Sequence, residues 1–511
     1  MTEFDVLALT VQMMFFKISP FSRPCSARHA FGGLLACGFT LLSLGCGAGP
    51  PAEFKFRATT EDLISDAKKS VKATLNDSFG TPNDLVAWER LPVAYGGING
   101  TVESVTDDKS IVVKLDEEAG KIKHGTGVVW LTGGLSGEKS KPSHVAIFQN
   151  ETSQLQLVNK GESPAAGDRF ILGFGEQLQL GRHVYMKNCM HCHGVTGDGA
   201  GPTGEFLNPR PRDYRNGQFK FTSTRAGEKA NRDDLHRIVA YGIPGTYMPS
   251  FLLLGDKETK AVIEYVRWLA IRGEFEKRLT AELSSDYSEK SIADSTAKAN
   301  TAYAEKQKNK EEAERPPSLN KAIKTANGEF AKFAKEELPA VIEETVDILA
   351  QAWTRAEEAD SIIVPTVQRV EDTVASRERG RLLYMSDKTK CYTCHGETGR
   401  GDGGATEDFW PKPGSTEKYA NRGLHDEWGN QLKPRNLTLG QYRGGRRPVD
   451  LFRRMYAGIK GTPMPAFGGT ALKDEEIWDL VNFVMSLPYS RPPSPAAPGG
   501  NMAKLDEKPA H

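Results

Sequence analysis

The five-residue pattern Cys-x-x-Cys-His occurs twice in this chain, and it limits what the chain can fold into more than any other feature. The two copies span residues 189–193 and 391–395. Two thiols one helical turn apart can each add to a vinyl group of haem, and the imidazole of the next residue then reaches the iron from one side. The pattern is the attachment signature of haem c. The sequence therefore predicts two covalently attached haem c groups, held by Cys189, Cys192, His193, Cys391, Cys394 and His395.

Two other kinds of site share part of this pattern. A thioredoxin-like dithiol has the Cys-x-x-Cys spacing, but the histidine after each motif and the duplication argue against it. A zinc site needs a further pair of ligands, and no such pair accompanies the motifs. Two haems are thus the preferred interpretation.

Aligning the two motifs brings further segments of the chain into register, which indicates an internal repeat. Gly-Arg-x-x-Tyr precedes each motif, and Pro-Arg-Asp/Asn, Asp-Leu-x-Arg and Gly-Thr-x-Met-Pro-x-Phe follow it in the same order. The second copy is 14 residues longer between its cysteines and its Gly-Thr-x-Met segment, and we expect the extra residues in the stretch 404–433. We name residues 176–273 the first repeat and residues 376–489 the second repeat.

Each Gly-Thr-x-Met-Pro-x-Phe segment carries a candidate for the other axial ligand. The methionines are Met248 and Met464, and each is followed by a proline that stiffens the loop. A thioether on such a loop can bind iron on the face opposite the histidine. An isolated methionine is more often core filler, but here the same frame recurs at the same place in both repeats.

With these ligands and the order of the segments in view, each repeat resembles a class I cytochrome c. The resemblance implies an N-terminal helix leading into the haem motif, a methionine loop and a closing C-terminal helix. It also implies that Gly181 and Tyr185 meet Trp268, and that the equivalent pair Gly380 and Tyr384 meets Phe483. The expected fold is mainly α: two all-α class I cytochrome c domains, plus a small β-rich N-terminal domain and a helical connector.

Both repeats are rich in arginine around the Pro-Arg segment. Arg212 and Arg435 align with each other, and a guanidinium suits a haem propionate because its donors match a carboxylate. A solvated basic surface remains the alternative interpretation.

The N-terminus predicts export from the cytoplasm. Residues 1–45 combine basic residues with an apolar run that is short for a membrane span, as in a secretory signal. The sequence before Cys46 resembles a bacterial lipoprotein cleavage site, with Cys37 as a competitor and an uncleaved anchor as the alternative. We expect the protein on the periplasmic side of the cytoplasmic membrane, lipid-anchored at Cys46.

The remaining segments carry weaker signals. We expect residues 46–97 to be a linker with short helices, residues 98–175 a small antiparallel β-domain, residues 274–375 a helical connector, and residues 490–511 a disordered tail. Lys plus Arg and Asp plus Glu both number 66, so no global basic field points to nucleic acid.

The ligand set predicts function. A haem with both axial positions filled by protein has no open position for a substrate, and such a centre moves single electrons. We expect a dihaem electron-transfer protein, not an enzyme, with redox proteins rather than small molecules as partners: a respiratory donor and a terminal acceptor. The alternatives are a dihaem cytochrome c peroxidase, which needs one open haem, and a fixed haem subunit of a larger redox complex.

Overall fold

The computed structural model describes residues 52–107, 109–117, 122–133, 143–158 and 164–490. The predicted signal segment, the candidate lipidation sites Cys46 and Cys37, and the predicted tail beyond residue 490 lie outside these ranges. None of the helices in the described ranges combines the length and apolar character needed to cross a membrane.

The segment before the β-domain is part of a helical core. It contains α1 (Ala58–Glu61), α2 (Ser65–Phe79) and a short hairpin of β1 (Gly80–Thr81) and β2 (Asp84–Leu85). Phe79 is fully buried, and its ring lies 5.6 Å from the rings of both Trp268 and Phe275. The short helices expected within residues 46–97 are present, and α2 is more than part of a linker because its apolar face packs against both α6 and α8.

The predicted β-rich domain is a closed antiparallel barrel. Its strands are β3 (Ile98–Val105), β4 (Ser110–Leu115), β5 (Gly127–Trp130), β6 (Ser143–Gln149), β7 (Gln154–Leu157) and β8 (Arg169–Leu172). They are ordered β3-β4-β7-β6-β5-β8 around the barrel. Alternate residues such as Val145, Leu155 and Phe170 are fully buried inside it. This confirms the β-rich region, because alternation with period two is what a half-buried strand requires.

The first repeat is built from four helices: α3 (Glu176–Asn188), α4 (Met190–His193), α5 (Arg232–Tyr241) and α6 (Asp256–Tyr287). Helices α3 and α6 cross at Gly181, where a Cβ would lie 2.1 Å from the carbonyl oxygen of Ala261. Tyr185 packs against Tyr265, with 5.2 Å between ring centroids. The predicted partner Trp268 is wrong by three residues: it lies one turn further along α6 and stacks on Tyr265.

Helix α6 also passes through the predicted end of the first repeat at residue 273. Gly273 does not stop the helix. The missing side chain leaves room for the backbone of Arg215. A Cβ at residue 273 would lie only 2.4 Å from the Arg215 Cα. The helix therefore runs for 32 residues and joins the repeat to the connector without a break.

The connector consists of α7 (Glu289–Lys308), α8 (Leu319–Glu336) and α9 (Leu338–Arg355). Helix α9 packs against the first repeat through Trp353, which is fully buried and whose Nε1 donates a hydrogen bond to Glu274 Oε2 at 2.8 Å. In contrast, Ile292 is the one buried residue of α7. The connector is thus held mainly by its second half.

The second repeat contains α10 (Val374–Tyr384), α11 (Cys391–His395), α12 (Pro448–Ala457) and α13 (Asp474–Ser486). A Cβ at Gly380 would lie 2.1 Å from the carbonyl oxygen of Asp479, and the rings of Tyr384 and Phe483 are 5.3 Å apart. Both findings confirm the expected crossing. The stretch 404–433 holds a hairpin of β9 (Leu424–His425) and β10 (Gln431–Leu432) that has no counterpart among the described strands of the first repeat.

Candidate haem-binding sites

Each Cys-x-x-Cys-His motif lies on a single helical turn that is fixed by the preceding helix. The turns end at Gly194 and Gly396, whose φ angles of +76° and +75° favour glycine. The hydroxyl of Tyr185 donates to the Gly194 carbonyl at 2.8 Å, and that of Tyr384 donates to the Gly396 carbonyl at 2.6 Å. The repeated Gly-Arg-x-x-Tyr segment therefore explains how the motif turn is oriented in both repeats.

The motif histidines are half-buried, and each has one ring nitrogen engaged. Nδ1 of His193 lies 3.3 Å from the carbonyl oxygen of Arg212, and Nδ1 of His395 lies 3.2 Å from that of Arg435. A carbonyl accepts, so Nδ1 carries the proton and Nε2 keeps its lone pair. Burial lowers the pKa of His193 to about 4 and also lowers the pKa of His395. Both rings are thus held as neutral imidazoles, the form that binds metal.

The motif cysteines lie next to these histidines in sequence, and none of the four forms a disulfide bond. Burial raises the pKa of the Cys189 thiol to about 12, and it also raises the pKa of Cys391. Among the described residues, no three side chains of the types His, Cys, Asp and Glu converge as a metal site. The motif surroundings thus lack the ligands that zinc would need.

The two methionine loops have the same internal hydrogen bonds. In the first repeat, the Ile243 amide donates to the Met248 carbonyl at 3.1 Å, and the Met248 amide donates to Thr246 Oγ1 at 3.1 Å. In the second repeat, Ile459 and Thr462 make the same bonds to Met464 at 3.1 and 3.3 Å. The threonine and glycine of the repeated segment therefore build a rigid turn that presents the methionine.

In the second repeat, the motif and the methionine loop line the same apolar cavity. Its wall includes Cys391, Cys394 and His395 from the motif and Met464 from the loop. The walls between them include Leu437, Leu451, Phe467, Leu480 and Val484. Two thiols, an imidazole and a thioether around an apolar cleft are the donor set and surroundings that haem c requires, so the residues fit the group.

The arginines predicted to bind propionates have different surroundings. All three guanidinium nitrogens of Arg212 are buried without a hydrogen-bond partner, and the guanidinium lies 4.0 Å from the ring centroid of Trp428. Burial lowers the pKa of Arg212 to about 10. Arg435 instead donates from Nε to the Gln441 carbonyl at 2.7 Å and from Nη2 to Gln441 Oε1 at 2.5 Å. Arg212 is not part of a solvated basic surface, and its free donors suit a carboxylate.

Sequence reasoning missed a second pair of cations. Lys220 and Arg443 occupy equivalent positions in the segments Gly-Gln-Phe-Lys (217–220) and Gly-Gln-Tyr-Arg (440–443). The signal was available in the repeat alignment. Both residues line the cavity of the second repeat, although Lys220 belongs to the first.

Comparison with known proteins agrees with this geometry. The cytochrome c family model matches residues 178–270 and 378–488. The chain therefore contains two domains of cytochrome c type, a family that binds haem c covalently and transfers electrons through its iron. No curated protein matches the sequence significantly. A chain of the Kuenenia stuttgartiensis reducing HAO-like protein complex is similar at 24% identity over 60% of this chain and 96% of its own length, with a TM-score of 0.37.

Proposed function

We propose that this protein is a dihaem electron carrier that passes single electrons between a respiratory donor and a terminal acceptor. The observation that carries the proposal is the duplication of one complete ligand frame. His193 and Met248 in the first repeat, and His395 and Met464 in the second, have the same local hydrogen bonds. When bound, haem c supplies one-electron chemistry at its iron.

The residues of the chain determine what else can happen at these centres. A methionine held by its own loop fills the position that an external ligand would need, so both sites are closed to small molecules. A dihaem peroxidase needs one open or easily opened site. We therefore infer that the protein is not an enzyme in its own right, and that its substrates are redox proteins bound through small, transient contacts.

We further propose that the protein works on the periplasmic side of the cytoplasmic membrane, held there by a lipid at Cys46. The support is the leader-like composition of residues 1–45 and the lipoprotein-like sequence before Cys46. Attachment of haem c outside the cytoplasm fits this location.

The test is a near-infrared spectrum of the oxidised protein with the haem content quantified, followed by carbon monoxide on the reduced protein and peroxide on the half-reduced protein. We expect methionine-to-iron charge-transfer intensity for two haems and no response to either ligand. Met248→Ala and Met464→Ala serve as matched controls, since each should halve the intensity and open one haem. Half intensity in the unmodified protein, with one haem binding carbon monoxide, would favour the peroxidase instead.

A further inference from the structure

Four cations from equivalent positions of the two repeats meet at the interface between them. Arg212 and Lys220 come from the first repeat, and Arg435 and Arg443 come from the second. We call these four residues the interface basic cluster. The two repeats are held together nearby by an ion pair between Arg237 and the buried Asp450, at 2.8 Å.

Two arginines of the cluster, Arg212 and Arg435, cross from one repeat to the other. The backbone carbonyl of Arg212 accepts a hydrogen bond from His193 of its own repeat. The Arg212 side chain reaches Gly461 in the methionine loop of the second repeat, where Nη1 lies 3.0 Å from the position that a Cβ would occupy. In the same way, Nη2 of Arg435 would lie 2.9 Å from a Cβ at Gly245, in the methionine loop of the first. Each arginine therefore touches both predicted haem sites.

Lys220 and its neighbour Phe221 also cross the interface. Both line the cavity that contains Cys391 and His395, so the first repeat completes the wall of the second repeat's site. Phe221 is fixed there by close contacts on its ring. Gly444 packs so near that a Cβ on this glycine would be 2.4 Å from the ring, and the guanidinium of Arg454 lies 5.8 Å from the ring centroid. The packing of Phe221 thus holds the adjacent Lys220 at this wall of the cavity.

The cluster contains buried donors that its protein surroundings leave unpaired, while Asp213, Asp426 and Glu427 act electrostatically on Arg212. Lys220 forms no hydrogen bond or ion pair with any residue that the structure describes, and the guanidinium of Arg212 and Nε of Arg443 lack hydrogen-bond partners. Burial, together with Arg212 and Arg443, lowers the pKa of Lys220 to about 7, while Asp426 acts in the opposite direction. Burying unpaired cations is costly, so the cluster suits a bound anion.

We propose that Lys220 of the first repeat binds a propionate of the haem held by Cys391, Cys394 and His395 in the second repeat. Lys220 is then a positioning residue whose charge raises the reduction potential of that haem, because a nearby cation stabilises the state with one more electron. The inference rests on the proposed function, since it assumes a closed His/Met haem in the second repeat. Its consequence is that the haem site of the second repeat depends on a residue of the first repeat.

The test is spectroelectrochemical titration of the full-length, haem-loaded protein and of Lys220→Met, which keeps an unbranched side chain one atom shorter and removes the charge. The wave of the second haem is assigned with Met464→His, which replaces its predicted ligand. We expect Lys220→Met to lower the potential of the second haem more than that of the first. Lys220→Arg should restore it, and Lys257→Met, at an exposed lysine of the same repeat, should leave both potentials unchanged.

An unchanged second-haem potential in Lys220→Met, or an equal shift of both haems, would overturn the proposal. Loss of the second haem in Lys220→Met but not in Lys220→Arg would support it, whereas loss in both variants would show a packing role and contradict it. The unmodified protein separates the two levels of inference. If its second haem lacks the methionine charge-transfer band, the proposed function fails; if the band is present and the variant has no effect, only the role of Lys220 fails.

Discussion

At the scale of single residues, the hydroxyl of one tyrosine controls the orientation of each motif turn. Tyr185 and Tyr384 are both buried, and each donates to the carbonyl of the glycine that ends the turn. The repeat alignment was enough to single these tyrosines out. It could not give the hydrogen bond itself, because the acceptor is a backbone carbonyl and leaves no side-chain signature in the sequence.

Replacing Tyr384 by Phe should destabilise the second repeat. The Gly396 carbonyl would stay buried without its donor, at a cost of about 1–3 kcal/mol. The free energy of unfolding in guanidinium chloride measures this change. Tyr392→Phe is the matched control, because the Tyr392 hydroxyl has no hydrogen-bond partner within the described ranges. Equal stability of the two variants would show that the Tyr384 bond does not hold the turn.

At the scale of elements, the helix crossings explain why glycine recurs at the same place in both repeats. A Cβ at Gly181 or Gly380 would overlap a carbonyl oxygen of the facing helix at 2.1 Å. The sequence identified the correct partner aromatic in the second repeat but not in the first. Tyr265 and Trp268 lie three residues apart on one face of α6, and the pattern alone does not say which of two neighbours on a face meets Tyr185.

Gly380→Ala should force α10 and α13 apart. We expect a loss of about 1–3 kcal/mol of stability or more, as for other insertions into a packed contact. Gly328→Ala in α8 is the control: nothing lies within 4 Å of a Cβ there, and the residue is exposed. Alanine at an open helical position should stabilise by up to about 1 kcal/mol. Thermal unfolding of both variants gives the comparison, and a neutral Gly380→Ala would contradict the close crossing.

The barrel and the long helix show where sequence patterns succeed and where they fail. The β-rich region was predicted over residues 98–175, because alternation of apolar residues is a local signal. The continuation of α6 beyond residue 273 was not, since Gly273 admits the backbone of Arg215 without ending the helix. A glycine needed for a distant close contact cannot be distinguished from a helix stop by its neighbours in sequence.

At the scale of the whole molecule, the interface between the repeats is the feature that the sequence did not reveal. Its contacts join residues more than 200 positions apart, including Arg237 with Asp450 and Lys460 with Thr224. The hairpin inserted in the second repeat belongs to it as well, because Trp428 covers the guanidinium of Arg212. Composition and spacing report local structure, and they say little about which surfaces of two domains meet.

Lys460 gives the interface a predictable pH dependence. The Nζ of Lys460 donates a hydrogen bond to Thr224 Oγ1 at 3.0 Å. Burial lowers the pKa of Lys460 from 10.5 to about 8. Lys229 lowers this pKa further, whereas Asp234 and Glu228 raise it. Between about pH 8 and 10.5 the unfolded chain binds more protons at this residue than the folded chain. The contribution of Lys460 to stability should therefore rise with pH across that window.

Unfolding of the unmodified protein and of Lys460→Met, each measured below and above the window, tests this expectation. The unmodified protein should gain stability relative to the variant as the pH rises. Lys257→Met is the matched lysine-to-methionine variant at an exposed position away from Thr224 and Lys460. The free energies of unfolding of Lys460→Met and the unmodified protein could instead differ by the same amount at every pH. That result would mean that Lys460 is not desolvated at the interface.

We propose that one chain holds two closed one-electron centres. The most direct test is a coulometric reductive titration of the full-length protein, under argon and again under carbon monoxide. We predict two electrons per chain, taken up in one-electron steps, with the same potentials under both gases, because the proposed ligand pairs His193 with Met248 and His395 with Met464 would leave no open position. Uptake of only one electron per chain, or a reduction potential that rises under carbon monoxide, would contradict the presence of two closed centres.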